Sequence, residues 1–555
     1  MQTRVIKEQG RDADASHHPL EVSPFLSAKR QGRVRLLMSF TLSGTPFCLS
    51  MYGVTIAGVC AGYKSAQAPW TRYVKAPFLA IPTLIVAYLA WVVVQGVFLS
   101  GRGEVLTGMV LVVFLFLAGW LAGVGSAYQP EPDHKRGTYL ADSSTQRPLK
   151  YFIGDALTIA GQPLDPADET KHFKFVGTTG TGKSTAIREL LTAALARGDR
   201  AVIADPDGSY LERFYDPNRG DVILNPFDPR SVRWDLFAEM HTVVDADQLA
   251  RSLIPDVDGP ERNWRGYARV FLSSTLRQLH RVRHDDPVEL YQLLSTTPID
   301  DLRELLADTP AGAYLSEDNG KFFGAVRAVA NTHLAALEHI ALQANGDRFS
   351  VRAWVKRPPA STGVLFLPYQ ANEIATLKGL ISTWLRLAIF ETMTATAGQG
   401  PSDQRLWFVV DELDALGTID GLKDALARLR KFGGRCVLGF QSIAQVSGTY
   451  GHAEAQTIVE NCGNTLILRC SASENGGTAR FASNLIGQRE VIREHLTVND
   501  GGGMFSRGQS STSASQHHVT ESAVLPSQIE QLPDLEGYLK IASRVEWRRV
   551  RLAVT

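Results

Sequence analysis

The stretch "FKFVGTTGTGKSTAIREL", Phe173 to Leu190, sets an apolar run, a glycine-rich loop and a helical pattern in immediate succession. Gly177, Gly182, Lys183 and Ser184 satisfy G-x-x-x-x-G-K-[ST] between a strand and a helix, the context that motif requires. Glycines let backbone N–H groups turn inward around a phosphate, and the helix start adds favourable potential. Lys183 is then placed to reach β- and γ-phosphate oxygens, and Ser184 to ligate Mg2+. The phosphate-binding residues expected are Gly177, Thr178, Thr179, Gly180, Thr181, Gly182, Lys183, Ser184 and Thr185. Downstream, Ile187, Leu190, Leu191, Ala194 and Leu195 recur at helical spacing and give the helix one buried face. The loop says that a nucleotide binds; it does not say what the energy drives.

Working outward, short runs rich in branched and aromatic residues alternate with helical stretches: "AVIAD" at Ala201, "DVILN" at Asp221, "GVLFL" at Gly363, "LWFVVD" at Leu406, "CVLGF" at Cys436 and "TLILRC" at Thr465. Such a pattern predicts a mostly parallel sheet covered on both faces, an α/β domain over 150–233 and 346–555. Residues 234–345 carry helical patterns such as "YARVFLSSTLRQLHRV" and no convincing strand, so an all-α insertion is expected there. In "LWFVVDEL" a buried strand ends on Asp411 and Glu412, at the sheet edge where ligands of open α/β folds sit. Asp411 is the expected partner of Ser184 at the Mg2+, and Glu412 the group that orients or deprotonates water. Gln441 leaves the strand "CVLGF" at the same edge and is expected to sense the γ-phosphate. Asp205, in "ADPDGSY", reads equally as a turn former or as a second acid near the metal. Arg428, Arg430, Lys431 and Arg435 crowd before a strand, either as a solvated helix end or as an arginine finger offered to a neighbouring subunit.

Ahead of this domain lies a segment for the membrane. Residues 76–98 and 105–124 are uncharged runs of 23 and 20 residues, each long enough to cross about 30 Å of hydrocarbon. Leu36 to Tyr63 is also uncharged but diluted by Ser, Thr, Pro46 and glycines, and reads as a weaker span, interfacial or re-entrant, within a transmembrane segment 36–125. Residues 1–35 hold seven Lys or Arg, whereas the loop between the strong spans holds Arg102 alone, so N-terminus and ATPase domain are both expected in the cytosol.

Composition is less informative. Lys plus Arg and Asp plus Glu each total 57, so any contact with nucleic acid must be a local patch. Arg262, Arg265 and Arg269 in the helical insertion are candidates for it, and equally a solvated helix face. Five cysteines without metal-site spacings predict inert thiols. Residues 500–518, rich in Gly and Ser, read as a flexible loop, with His517 and His518 solvated.

"GTTGTGKS", "YDPNRGDVILNPFDPRSVRWDLF", "LWFVVDEL", "LRKFGGRCVLGFQSIAQVSGTYG" and "LPSQIEQLPDLEGYLKI", following an apolar N-terminal segment, resemble the TraD family of type IV coupling proteins, which serve conjugative DNA transfer. The resemblance implies an inner-membrane, hexameric ATPase with a RecA-like P-loop domain and an all-α insertion, using ATP and Mg2+. It implies that relaxase-bound single-stranded DNA is received from a relaxosome, without sequence preference, and driven into the channel proteins of a type IV secretion system. It assigns catalysis to Lys183, Glu412, Gln441 and Arg430, the last as a finger acting across subunits, and metal binding to Ser184 and Asp411. The alternatives are a type IV secretion ATPase for protein export or pilus assembly, and an FtsK-like DNA translocase.

Overall fold

The computed structural model describes residues 45–65, 70–98, 104–127, 133–141, 156–257, 259–343, 346–358, 361–395, 405–473, 476–499 and 511–554. The basic stretch 1–35, Arg102 and residues 500–510 lie outside these. The chain divides into two compact units, Met1–Pro132 and Asp133–Thr555.

The first unit holds three helices, α1 (Thr45–Ser65), α2 (Ala76–Phe98) and α3 (Glu104–Ala127). Among the described residues one stretch, Tyr73–Trp91, is both long and apolar enough to cross a membrane; the apolar part of α3, Val110–Gly125, is shorter. The weaker candidate of the sequence, 36–63, is a helix from Thr45 onward, and its glycines explain how it packs. A Cβ on Gly58 or Gly62 would stand 2.3 Å from the carbonyl oxygen of Phe116 or Trp120, and one on Gly119 or Gly123 2.4 Å from that of Thr55 or Val59. A G-x-x-x-G pair on each helix therefore lets the backbones of α1 and α3 touch. Tyr52 ties α1 to α2, its hydroxyl donating to the Pro77 carbonyl at 2.7 Å.

In the second unit six parallel strands form the centre of a ten-stranded sheet. They are β1 (Phe173–Val176), β2 (Arg200–Pro206), β3 (Val364–Tyr369), β4 (Leu406–Val410), β5 (Gly434–Phe440) and β6 (Asn464–Ile467). Their spatial order is β6-β1-β5-β4-β2-β3, with Val222–Ile223 outside β3 and an antiparallel pair, Glu536–Lys540 and Trp547–Arg551, outside β6. Residues along each strand alternate between two cores. Phe173, Phe175, Ala201, Ile203, Trp407 and Val409 join one, while Val176, Val202, Ala204, Phe408 and Val410 join the other. Near-continuous apolar strands are what a sheet covered on both faces demands. The apolar stripe of α4 (Lys183–Ala196) fills the first core.

The second core is shared with the insertion. A short parallel pair, Arg233–Trp234 with Arg348–Phe349, closes its root. Between these strands every described regular element is helical: α5 (Val243–Leu253), α6 (Arg262–Val282), α7 (Pro287–Ser295), α8 (Ile299–Leu306), α9 (Gly320–Leu334) and α10 (Ala336–Leu342), with short 3-10 turns. Glu239 locks the root from inside, accepting from Trp234 Nε1 at 3.0 Å and from the Val351 N–H at 2.7 Å. Helix α11 (Ile374–Ala395) follows β3 on the same face.

The reading of 500–518 as a loop needs correction over its second half. Ser511–Ser522 is a strand, paired antiparallel along its length with Gln488–Asn499, whose start also pairs with Asp133–Gly137. Serine, threonine and histidine give such a strand no apolar face, so the sequence carried no alternation to reveal it. His517 and His518 are exposed there.

Candidate active site

Register brings the chemical groups to one edge. Val176 at the end of β1 pairs with Phe440 at the end of β5, and Val410 at the end of β4 pairs with Leu438 and with Ala204. The next residues, Gly177, Gln441, Asp411 and Asp205, therefore emerge side by side. Gly439 is required for this approach, since a Cβ there would lie 2.3 Å from the Asp411 carbonyl oxygen.

The loop after β1 is anchored at its base, where the Thr178 N–H donates to the Arg469 carbonyl at 2.9 Å and the Thr181 hydroxyl to the Thr178 carbonyl at 2.7 Å. Gly180 and Gly182 take φ of +78° and +113°, left-handed values that a side chain would strain. The first turn of α4 begins at Lys183 and directs its unpaired N–H groups at the loop. Lys183 is buried, and its ammonium donates to the Gly177 carbonyl at 2.8 Å. Burial lowers its pKa from the usual lysine value, while Asp411 and Glu412 oppose that shift. Thr185 is half-buried on the same turn.

Facing the loop, Asp411 accepts from the Ser184 hydroxyl at 2.6 Å and from the Tyr210 hydroxyl at 2.8 Å, both at Oδ2. Its Oδ1 is buried with no hydrogen-bond partner, an oxygen left over for a cation or an ordered water. The residues thus fit a Mg2+ held by one hydroxyl and one carboxylate, the sparse protein ligation that suits this ion beside phosphates.

Glu412 accepts from Gln441 Nε2 at 2.8 Å, and Gln441 Oε1 accepts from the Thr179 hydroxyl at 2.9 Å. One amide therefore bridges the phosphate loop and the acid. Burial raises the Glu412 pKa, the Gln441 bond lowers it, and the negative charge of Asp411 raises it again; the net shift is upward, in the direction a general base needs.

Other sequence candidates land elsewhere. Asp205 caps the short helix Ser209–Phe214, accepting from the N–H groups of Tyr210 and Leu211, which favours its structural role over a metal role. Burial raises it to about 6 against those two bonds. Arg435 is buried in an ion network with Glu169, which also binds Arg197 in bidentate fashion. It is thus removed from the exposed cluster in which the sequence placed it. Arg262 and Arg269 both pair with Asp256, and Arg265 with Glu261. Cys436, Cys462 and Cys470 are buried, and burial pushes the last two thiols up to about 12.

Arg430 sits in the turn Arg430–Phe432 between α12 (Leu422–Leu429) and β5, at the opposite edge of the sheet from Lys183. At that edge burial holds His172, just before β1, down to about 4, against a hydrogen bond with the Leu426 carbonyl and helped by the charges of Arg430 and Arg435. The seven residues of β5 separate it from Gln441, roughly 23 Å of extended chain. It is exposed, with no side-chain partner among the described residues.

Tyr210 is the site residue that sequence reasoning missed. It lies on a six-residue helix with no periodicity to display, and only the fold brings its hydroxyl to Asp411.

Residues 156–553 match the family described as the type IV secretion-system coupling protein DNA-binding domain. The coupling protein TraD of Escherichia coli (strain K12) is 29% identical over 502 residues, 89% of this chain and 69% of that protein. The solved structure of the bacterial conjugative coupling protein TrwBdeltaN70, in its unbound form, superposes with a TM-score of 0.67 at 30% identity, covering 76% of this chain and 94% of that one. Plasmid coupling protein TrwB in complex with ADP and Mg2+ gives 0.66 at 30% identity, over 77% and 96%.

Proposed function

The chain belongs to the type IV secretion-system coupling protein family, and from that premise we propose that it is the membrane-anchored ATPase that drives relaxase-bound single-stranded DNA into a type IV secretion channel. The observation that carries this reading is the hydrogen-bonded chain Thr179–Gln441–Glu412, which links the phosphate loop to a half-buried acid with a raised pKa.

In the proposed mechanism the nucleotide phosphates lie on the loop 177–185, and the Lys183 ammonium turns from the Gly177 carbonyl to the β- and γ-phosphate oxygens. Ser184 and Asp411 would hold Mg2+, which would neutralise phosphate charge, and the related plasmid coupling protein TrwB is solved in complex with ADP and Mg2+. Glu412 orients a water in line with the γ-phosphorus and takes its proton; the bond to the β-phosphate oxygen breaks, leaving ADP and phosphate. Gln441 holds Glu412 in place and, through Thr179, reports what occupies the loop. Arg430 is too far to serve its own site and serves a neighbour's, so subunits of a ring, a hexamer by family precedent, complete one another. Helices α2 and α3 anchor the chain in the inner membrane as a two-span hairpin, with the basic N-terminus and the ATPase unit both in the cytosol by the positive-inside rule.

The test is ATP hydrolysis by the full-length chain in nanodiscs, with and without single-stranded DNA. DNA-stimulated turnover that Glu412→Gln abolishes supports the reading. Stimulation by a secreted protein alone, with no DNA binding at low salt, would replace it with the protein-export ATPase.

A further inference from the structure

Where the all-α insertion meets the sheet unit, a cavity of about 230 Å³ opens between α6, α9, the first turns of α11 and the segment Leu416–Thr418. Its charged lining is of one sign. Arg265, His333 and Lys378 face it, with no Asp or Glu among the lining residues and no Phe, Tyr or Trp on which a base could stack. Lys378 is exposed and has no ion-pair or hydrogen-bond partner among the described residues. Arg265 spends part of its guanidinium on Glu261, but its Nε is buried without a partner. Burial, then Arg265, disfavours charge on His333; Glu261, the partner of Arg265, opposes that, and Lys378 adds to the repulsion. Two cations, Arg265 and Lys378, and a histidine held toward its neutral form converge on a space with no carboxylate among its lining residues, and an anion there would offset both charges and favour protonation of His333.

The floor of this cavity runs directly to the hydrolytic acid. Residues 416–418 follow Asp411 and Glu412 on the same short segment, whose Leu413 N–H donates to the Gly439 carbonyl at 2.9 Å. Ser382 of α11 donates to the Leu416 carbonyl at 2.7 Å. Thr418 donates to the Thr449 carbonyl at 3.1 Å, and the Ile419 N–H to the Tyr450 hydroxyl at 3.3 Å. Thr449 and Tyr450 end α13 (Ile443–Tyr450), the helix that begins two residues after Gln441. Both partners of the Glu412–Gln441 hydrogen bond are thus the upstream ends of segments pinned together beside the cavity.

We propose that this cavity binds a backbone phosphate of the single-stranded DNA and that its occupancy sets the turnover at Glu412 by moving the segment 412–418. This rests on the coupling-protein reading above and adds the place where DNA is felt. The absence of a stacking ring and the cationic lining select phosphate over base, as a sequence-tolerant contact requires. The segment shared by the cavity and the acid, held by the bonds of Leu413, Leu416 and Thr418, is the physical link between the two sites.

The test uses the full-length chain in nanodiscs, an abasic single-stranded oligonucleotide carrying a fluorophore, and inorganic phosphate as a separate probe. Lys378→Glu should weaken oligonucleotide binding at least about tenfold, and make the slope of log affinity against log salt shallower by about 0.7, one phosphate contact. The ratio of DNA-stimulated to unstimulated hydrolysis should fall toward one, and Lys378→Arg should retain it. If Lys378→Glu keeps the affinity, slope and stimulation of a wild type that does respond to DNA, this inference falls and the coupling-ATPase reading stands. A wild type that neither binds nor responds to DNA overturns both. If millimolar inorganic phosphate stimulates the wild type fully and the oligonucleotide adds nothing, the cavity takes free phosphate and the DNA assignment is overturned.

Discussion

One strand, β5, separates two kinds of polar surface. At its C-terminal end Gln441 is bonded on both sides, to Thr179 and Glu412, and the neighbouring Asp411 holds Ser184 and Tyr210. At its N-terminal end Arg430 and Lys431 stand exposed, with no side-chain partner among the described residues, while Arg435 just beyond them is buried on Glu169. A prearranged network suits chemistry, because donors that are already oriented need not reorganise in the transition state. An exposed, unpaired guanidinium suits the opposite task, meeting charge that arrives from outside. The difference supports the proposed arrangement, in which each subunit carries a site at one edge and the completing cation for a neighbour's site at the other.

The comparison breaks most severely if Arg430 is dispensable. Arg430→Ala should lower kcat by about 10³–10⁵, the range for a finger supplied across an interface, with assembly intact by light scattering. At the networked edge, Lys183→Ala and Glu412→Gln should each lower turnover by about 10²–10⁴, the former with loss of nucleotide binding and the latter without it, as binding of a fluorescent ATP analogue can separate.

Gln441→Leu sharpens the account with a smaller effect. Losing a hydrogen bond to a charged group costs about 1.5–3 kcal/mol, so kcat should fall roughly 10- to 100-fold. The pH profile supplies the sign. Glu412 acts when ionised, its pKa is raised by burial, and the Gln441 bond opposes that rise. Removing the bond raises the pKa further, so the acid limb of kcat should move to higher pH; an unmoved limb would separate Gln441 from the base. Arg435→Gln tests the architectural side of the other edge. It leaves Glu169 buried and without one of its two arginines, which should cost about 3–5 kcal/mol of stability, seen as a lower Tm, with little change in kcat below the transition.

What the sequence made legible was local. The glycine loop, Lys183 and Ser184 are read from eight consecutive residues, and Asp411–Glu412 from one apolar strand. That β5 lies between β1 and β4, and so puts Gln441 between loop and acid, depends on pairing between residues 264 positions apart, Val437 with Phe173, for which no local pattern exists. The same limit hid the Tyr210 contact and the ion pairs that occupy Arg262 and Arg269. In the first unit, glycines diluted the apolar character of 36–63 and made it read as a weaker span, although those glycines are what let α1 meet α3. Composition scores the side chains a segment has, and here the contact is made by the ones it lacks.

The division of labour between the two edges is tested most directly by mixing. Arg430→Ala subunits keep an intact loop and Lys183→Ala subunits keep an intact finger, so each pure protein should be inactive while assembling normally. Co-assembled at equal ratio and measured for ATP hydrolysis, they should recover up to roughly a quarter of wild-type activity, the fraction of random head-to-tail interfaces that pair a whole loop with a whole arginine. Mixed assemblies that form but remain as inactive as either parent would contradict it.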